Sequence, residues 1–174
     1  MPARREGRQP GGDDLHRLEI VPEAEWAEAG AERFQDLDRY GLVVIASHGD
    51  TFFHSIVDAY REEWRWSSIG AQAILLTGTV LSAENLAQWE FDLRLGRLAV
   101  MPDGVAAILP SFITRHNVRF PSSVVYAGSC NSAFNTTLAT AFFGRGAGTF
   151  YGYDGYVASS FARERGTTLV TGLL

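Results

Sequence analysis

Residues 42–50 read LVVIASHGD and residues 124–132 read VVYAGSCNS, and these two stretches decide the fold. Each begins with a continuous β-rich apolar run, which is typical of a strand buried on both faces of a parallel sheet. Each run leads directly into a small polar turn, which contains His48 in the first stretch and Cys130 in the second. Ligands of open α/β sheets bind beyond the carboxyl ends of the strands. If the two strands are parallel neighbours, His48 and Cys130 emerge at the same edge of the sheet.

Other apolar runs along the chain also predict strands, and segments of helical composition separate some of them. The predicted strands are residues 18–21, 42–46, 73–76, 98–101, 105–109, 124–127 and 149–152. The predicted helices are residues 23–37, 56–64, 83–89 and a segment just after Cys130 that has apolar residues at helical spacing. A Pro–Asp–Gly turn at residues 102–104 lies between two apolar runs, so a β-hairpin is expected there. Strands that alternate with helices predict an α/β domain with a largely parallel sheet.

The composition indicates one folded domain. The chain has 174 residues, of which 46% are hydrophobic and 20% charged, enough apolar material for a sizeable core. Its net charge of −5 gives no electrostatic reason to bind nucleic acid. Residues 1–14 are polar and contain an arginine cluster, so we expect a disordered leader followed by a domain over residues 15–174. Since no signal peptide or membrane span is recognisable, the default location is cytoplasmic.

Cys130 is the only cysteine, so an internal disulfide and the usual multi-cysteine zinc site are excluded. Most lone cysteines are small buried hydrophobic residues. The surroundings of Cys130 favour a second interpretation, in which it is a nucleophile. A thiolate attacks, and an imidazole accepts the thiol proton and later delivers it to the leaving amine. The predicted helix just after Cys130 would place the positive end of a helix dipole at the sulfur. Gly49, which has no side chain, would let a backbone N–H approach a substrate carbonyl.

The order of the residues excludes two competing families. Residues 128–132, GSCNS, resemble the nucleophile elbow of α/β-hydrolases with Cys in place of Ser. That fold takes its histidine after the nucleophile, and so do glutamine amidotransferases. The histidines of this chain are His16, His48, His54 and His116, and all of them precede Cys130. An order of histidine first and cysteine later remains.

That order of motifs resembles the caspase-like superfamily of cysteine peptidases, which includes caspases, metacaspases, gingipains, clostripain and the bacterial CHAT domains. In these proteins one strand ends in His–Gly and a later strand ends in a small residue followed by Cys, as residues 42–49 and 124–130 do here. Residues 148–155, GTFYGYDG, resemble the Gly–aromatic–polar segment near the specificity pocket of bacterial members. The resemblance covers residues 40–162.

The resemblance implies a caspase-like three-layer sandwich, in which helices flank a mostly parallel sheet, with an extra β-hairpin between the His and Cys motifs. It implies that Cys130 is the nucleophile, that His48 is the general base and acid, and that no cofactor or metal is needed. The implied oxyanion donors are the backbone N–H groups of Gly49 and Cys130. The implied substrate-binding residues are Gly128, Ser129, Tyr153 and Asp154. The substrate is then a protein or peptide, and an exposed Asp154 suits a substrate Arg or Lys.

The chain also departs from that family. Members usually have two strands before the His–Gly strand, whereas residues 18–21 supply one candidate. The apolar end at residues 169–174 is abrupt, so we expect it either to dock on the sheet or to belong to a fragment that works with other domains or subunits. Because the chain is small for a whole peptidase, a minimal variant is the other alternative. A non-catalytic caspase-like module that binds or scaffolds a partner is therefore the alternative function.

Three polar residues near the motifs have simpler interpretations. Asp50 follows a glycine and is expected to cap a helix. His54, next to two phenylalanines, is expected to be a partly buried packing residue. His116, beside Arg115 and Asn117, is expected to be a solvated helix end.

Overall fold

The structure is a computed structural model that describes residues 30–54 and 70–173. In those ranges the strands β1 to β7 are Leu42–Ile45, Gly49–Phe53, Ala71–Val80, Leu98–Val100, Val105–Ile108, Val124–Ala127 and Thr149–Tyr151. The α-helices α1 to α4 are Leu86–Arg94, Pro110–His116, Thr137–Phe143 and Ser159–Leu173, and two short 3-10 helices, Ala31–Gln35 and Leu37–Arg39, precede β1. The predicted leader at 1–14, strand at 18–21 and helix at 56–64 lie outside the described residues.

Strands β1, β6 and β7 form a parallel sheet in the order β1-β6-β7. The register pairs Leu42 with Val124 and Ile45 with Ala127, so β1 and β6 end side by side. The inward-facing residues Val43, Ile45 and Val125 are buried in the core. Tyr126 on the opposite face of β6 is also buried, whereas Val44 on that face of β1 is 44% exposed, so the expected burial on both faces is wrong for β1. The α/β class and the parallel pairing of the two decisive stretches are therefore confirmed.

The other described strands form a separate antiparallel sheet in the order β2-β3-β5-β4, so the expectation of a largely parallel sheet is wrong. The predicted hairpin is present: β4 pairs with β5 from Leu98↔Ile108 to Val100↔Ala106. Gly104 in its turn has a φ of +81°, a conformation that favours glycine. Strand β2 was not predicted because its sequence, GDTFF, lacks apolar alternation; all five of its residues are only half-buried.

The helix after Cys130 begins later than the sequence predicts. Asn131 has a φ of +55°, which a right-handed helix does not allow, and residues 131–136 form turns instead. The Asn135 carboxamide oxygen then accepts the Thr137 N–H (3.0 Å) where α3 starts. Cys130 therefore does not lie at a helix N-terminus, and the expected contribution of a helix dipole at its sulfur is wrong.

Other element boundaries also differ from the predictions. The predicted helix at 83–89 is α1, shifted to Leu86–Arg94, and the described part of the predicted helix at 23–37 is 3-10 helix. The predicted strand at 73–76 is the longer β3. Residues 169–173 of the apolar end belong to α4.

The two sheets share a hydrophobic core. Val43 and Val125 of the parallel sheet and Leu75 and Ile108 of the antiparallel sheet belong to one cluster of buried residues, together with Trp89 of α1. Helix α4 covers the opposite face of the parallel sheet at Tyr126, whose hydroxyl donates to the Ala162 carbonyl (2.6 Å). No helix in the described ranges is long and apolar enough to cross a membrane.

Candidate functional site

The turn that contains His48 joins the two sheets. The chain leaves the parallel sheet at Ile45 and enters the antiparallel sheet at Gly49. Both backbone and side chain fix this turn to β3: the Ser47 hydroxyl donates to the Leu76 carbonyl, and the Leu76 N–H donates to the His48 carbonyl (2.9 Å). The His48 side chain is exposed, and its ring has no hydrogen-bond partner in the part of the chain that the structure describes.

The turn that contains Cys130 follows β6 and is held from two sides. The Gly128 N–H donates to the Ile45 carbonyl (2.7 Å) and extends the parallel pairing by one step. The Ser132 hydroxyl lies 2.9 Å from the Ala127 carbonyl and 2.8 Å from the Ser129 carbonyl. Its hydrogen bond to one of these two carbonyls stabilises the turn. These bonds fix the backbone on either side of Cys130.

The two turns are in direct contact through Gly49. A Cβ placed on Gly49 would overlap the Cys130 carbonyl oxygen and would lie 2.9 Å from the Ser129 Cβ. Only glycine fits at this position, because the obstructing atoms are backbone and a side-chain stem rather than the end of a flexible side chain. The two strand ends that carry His48 and Cys130 are therefore brought together at one edge.

Gly49 lies on β2, the edge strand of the antiparallel sheet. Antiparallel pairs alternate between hydrogen-bonded and non-hydrogen-bonded. Because Leu76 donates to His48, the next pair, Gly49↔Leu75, is a non-hydrogen-bonded one. The Gly49 N–H therefore points away from β3. No described residue accepts a hydrogen bond from the Cys130 N–H. Both implied oxyanion donors are thus unused by the fold within the described ranges.

Residues 152–158, which connect β7 to α4, run beside the Cys130 turn. The Ala133 N–H donates to the Tyr153 carbonyl (2.8 Å) and the Asn131 N–H donates to the Gly155 carbonyl (3.0 Å). The Val157 N–H donates to the Cys130 Sγ (3.4 Å), and the thiol S–H faces the Val157 carbonyl at 3.6 Å. The segment that resembles a specificity-pocket element is therefore next to the cysteine.

The four predicted substrate-binding residues have different environments. Asp154 is exposed and Tyr153 is half-exposed, whereas Ser129 is only 1% exposed and its Oγ has no partner among the described residues. Gly128 lies close to the Tyr126 ring, which a Cβ would approach to 2.9 Å. Asp154 is therefore open to solvent, Tyr153 is partly covered by its contacts with Tyr126 and Phe161, and Ser129 is buried within the turn.

Tyr126 links these residues to α4. Its hydroxyl is 2.8 Å from the Tyr153 hydroxyl as well as being bonded to Ala162. Burial raises the pKa of Tyr126 well above its usual value, and the hydrogen bond with Tyr153 raises that pKa further. The Tyr126 hydroxyl therefore stays protonated, and its hydrogen bond fixes the position of Tyr153 beside the cysteine turn.

A cluster of charged residues that the sequence did not indicate lies at the ends of α1 and α2. Asp92 is 6% exposed and accepts hydrogen bonds from Arg97 (3.1 Å) and the His116 ring (3.0 Å). The His116 ring also contacts the Phe112 ring, with 4.3 Å between centroids. His116 is therefore not a solvated helix end. Its partner lies 24 residues away in the sequence, so no local pattern points to the pair.

Two neighbours of the His48 turn also have defined surroundings. Asp50 lies within β2 and accepts the Thr51 N–H (2.7 Å), so the helix-cap interpretation is wrong. His54 is exposed, and its ring makes an edge contact with Phe52.

Within residues 30–54 and 70–173, no group of three or more His, Cys, Asp or Glu side chains is arranged to hold a metal ion. Comparison with known proteins gave no match to a family model, to a curated protein or to a solved structure.

Proposed function

We propose that the protein is a cysteine peptidase of the caspase-like type, in which Cys130 is the nucleophile and His48 the general base and acid. The observation that best supports this is the contact of Gly49 with the Cys130 carbonyl. It places the ends of two adjacent parallel strands, one followed by His48 and the other by Cys130, at the same edge. This is where open α/β sheets bind their ligands.

The reaction would proceed through a thioester. His48 takes the thiol proton, and the Cys130 sulfur attacks the carbonyl carbon of the scissile peptide bond. The tetrahedral intermediate collapses when the C–N bond breaks, and His48 gives its proton to the departing amine. A water molecule, deprotonated by His48, then hydrolyses the thioester and restores the thiol. The exposed His48 side chain is free to take the required rotamer, since no described residue holds its ring.

The negative oxygen of the tetrahedral intermediate requires hydrogen-bond donors. The backbone N–H groups of Gly49 and Cys130 are the candidates, because the first points out from a sheet edge and the second has no acceptor among the described residues. Donors of this kind are each typically worth about 3 kcal/mol of transition-state stabilisation. No metal or cofactor enters this scheme.

A preference for peptides with Arg or Lys before the scissile bond is part of the proposal. Asp154 is exposed on the segment that runs beside the Cys130 turn, one residue from Gly155, which is bonded to Asn131. A carboxylate there offers a charge-assisted hydrogen bond to a basic side chain. The substrate is a protein or peptide, and a cytoplasmic location stays part of the proposal.

A non-catalytic module that binds a partner is the second candidate. It is favoured by one observation: the Cys130 sulfur is engaged with the Val157 backbone rather than with His48.

Labelling of the cysteine separates the two candidates. The measurement is the rate at which Cys130 reacts with a peptidyl acyloxymethyl ketone ending in Arg, relative to a small free thiol. The peptidase proposal predicts faster labelling than the free thiol and a large loss of rate in His48→Ala. His54→Ala is the matched control, because His54 is also an exposed histidine near β2 and is expected to leave the rate unchanged. Labelling no faster than the free thiol, with no effect of His48→Ala, would support the binding module.

A further inference from the structure

The segment from Gly152 to Ala158, here called the strap, is bonded along its length to the turn that carries Cys130. The Tyr153 carbonyl and the Gly155 carbonyl each accept a backbone N–H from that turn, at 2.8 and 3.0 Å. In the opposite direction, the Tyr153 N–H donates to the Ser132 hydroxyl (3.1 Å). The strap therefore lies against the cysteine turn.

At its far end the strap reaches the sulfur itself. The Val157 N–H donates to Sγ at 3.4 Å and the Val157 carbonyl faces the S–H at 3.6 Å. Both the acceptor and the donor capacity of the thiol are thus used by the backbone N–H and C=O of a single residue, Val157. A substrate carbonyl carbon must come into contact with the same sulfur, and the thiol must present its proton to a base instead of to a carbonyl oxygen. Both steps therefore compete with the Val157 contacts for the sulfur.

The two ends of the strap differ in how firmly they are held. At Gly152 a Cβ would lie 2.8 Å from the Ser132 Oγ and 3.0 Å from the Ala133 Cβ, so close packing requires glycine there. At Gly155 a Cβ would meet nothing within 4 Å, and its φ lies outside the left-handed region. The folded conformation therefore gives no reason for glycine at 155. A change of backbone conformation at residue 155 explains the glycine, because glycine adopts backbone conformations that other residues avoid.

The surface around Val157 is consistent with a strap that lifts. Tyr156 is 85% exposed, and Ala158, the residue before α4, is also exposed. Moving residues 155–158 outward would expose no fully buried residue and would break the two Val157 contacts with the sulfur and the hydrogen bond that Gly155 accepts from Asn131. Tyr153 stays fixed by Tyr126 and by the Phe161 ring, 6.3 Å away between centroids. This places the moving part between Gly155 and the start of α4.

We propose that the strap is autoinhibitory: the backbone N–H and C=O of Val157 block the Cys130 sulfur until residues 155–158 swing out about Gly155. The regulatory meaning of this movement rests on the proposed peptidase function. The movement itself concerns only access to the sulfur, which is measurable whether or not the protein is a peptidase.

The test is the second-order rate of Cys130 alkylation by iodoacetamide, read at the high-pH plateau of the pH–rate profile, where all of the sulfur is thiolate. Val157→Pro removes the N–H that donates to Sγ, and Val157→Ala is the matched control that keeps it. Loss of one such hydrogen bond is expected to raise the rate about tenfold in Val157→Pro, with no change in Val157→Ala. Gly155→Ala stiffens the hinge and is expected to label more slowly than the wild type.

The thermal midpoint of each variant is measured together with its labelling rate, which separates a loss of folding from a change in access to the sulfur. Equal plateau rates for Val157→Pro and Val157→Ala would overturn the strap. If Val157→Pro is too unstable to compare, Gly155→Ala decides alone: unchanged or faster labelling contradicts the proposal. Peptide hydrolysis is assayed separately in the same proteins. Faster labelling of Val157→Pro without hydrolysis by any variant retains the strap and rejects the peptidase, whereas hydrolysis with unchanged labelling rejects the strap alone.

Discussion

Gly49 packs against the Cys130 carbonyl so closely that no side chain fits between them. The contact joins the first residue of β2 to the turn after β6, and hence the antiparallel sheet to the end of the parallel sheet. Cys130 and the residue after His48 are therefore fixed relative to each other by backbone packing. The position of the His48 side chain is left to its rotamer.

Replacing Gly49 by alanine tests this contact. Overpacking of this kind typically costs about 1–3 kcal/mol, and Gly49→Ala is expected to lower the free energy of unfolding by that amount and to abolish labelling of Cys130 by the peptidyl probe. Urea unfolding measures the first effect. Gly172→Ala is the control, because a Cβ there meets nothing within 4 Å and the residue lies in α4, where alanine is expected to leave stability unchanged or slightly raised. Equal stability of the two variants would show that the contact is not tight.

Substitution of Asp154 tests the proposed preference for basic substrates. Asp154→Asn removes the charge with little change of shape and is expected to lower kcat/KM for peptides ending in Arg or Lys about tenfold, since a charge-assisted hydrogen bond becomes a neutral one. Cleavage after an uncharged residue is expected to be unchanged. Glu164→Gln, which removes an exposed carboxylate from α4, is the control. A preference of the wild type for Asp before the scissile bond would contradict the assignment.

Stability at alkaline pH depends on Tyr126. Burial raises the pKa of Tyr126 in the folded protein, whereas in the unfolded chain the pKa is about 10. Above pH of about 10 the unfolded chain loses this proton and the folded protein keeps it, so the free energy of unfolding falls by up to about 1.4 kcal/mol per pH unit. Below that pH this contribution is fully present.

Urea unfolding measures this decrease in the free energy of unfolding between about pH 8 and about pH 11, on both sides of the ordinary tyrosine pKa of about 10. Tyr126→Phe is expected to be less stable at neutral pH, because its bonds to Ala162 and Tyr153 are lost, but to show a shallower decline at alkaline pH. Tyr151→Phe, at an exposed position, is the control and is expected to decline like the wild type. Parallel curves for all three proteins would mean that the Tyr126 proton is not retained.

The buried carboxylate of Asp92 is expected to be essential for stability. Asp92→Ala leaves Arg97 and His116, both mostly buried, without their shared acceptor, and loss of one partner of a buried pair typically costs about 3–5 kcal/mol. The control is Glu90→Ala, which breaks an exposed pair with Arg94 worth about 0–1 kcal/mol. Thermal or urea unfolding compares the two. A loss in Asp92→Ala no larger than in Glu90→Ala would show that the cluster is not a structural anchor.

The two strands that could be predicted are those with continuous β-rich apolar sequences. Residues 42–45 and 124–127 read as strands for that reason, and the structure pairs them in parallel, although Val44 on the outer face of β1 is exposed. Strand β2 could not be recognised, because an edge strand with half-buried residues has no apolar alternation. The start of the helix after Cys130 was misplaced because a left-handed Asn131 leaves no signal in the apolar spacing.

Only some of the contacts in the candidate site could be predicted from the sequence. The neighbourhood of His48, Gly49 and Cys130 follows from strand order and could be predicted. The contact of the Val157 backbone with the sulfur could not, because it involves backbone atoms from a segment 27 residues downstream, and backbone contacts do not depend on the identity of the side chain. The pairing of Asp92 with His116 is hidden for a related reason, since it depends on how α1 and α2 pack.

Trapping the thioester on Cys130 tests directly whether this cysteine is the nucleophile of a peptidase. The protein is mixed with a peptide ester ending in Arg, quenched in acid within the first turnover, and analysed by intact mass and peptide mapping. We expect an acyl adduct on Cys130 in the wild type, its absence in Cys130→Ala, and a greatly reduced rate of formation in His48→Ala but not in His54→Ala. Hydrolysis that continues in Cys130→Ala, or an acyl adduct on another residue, would show that Cys130 is not the nucleophile.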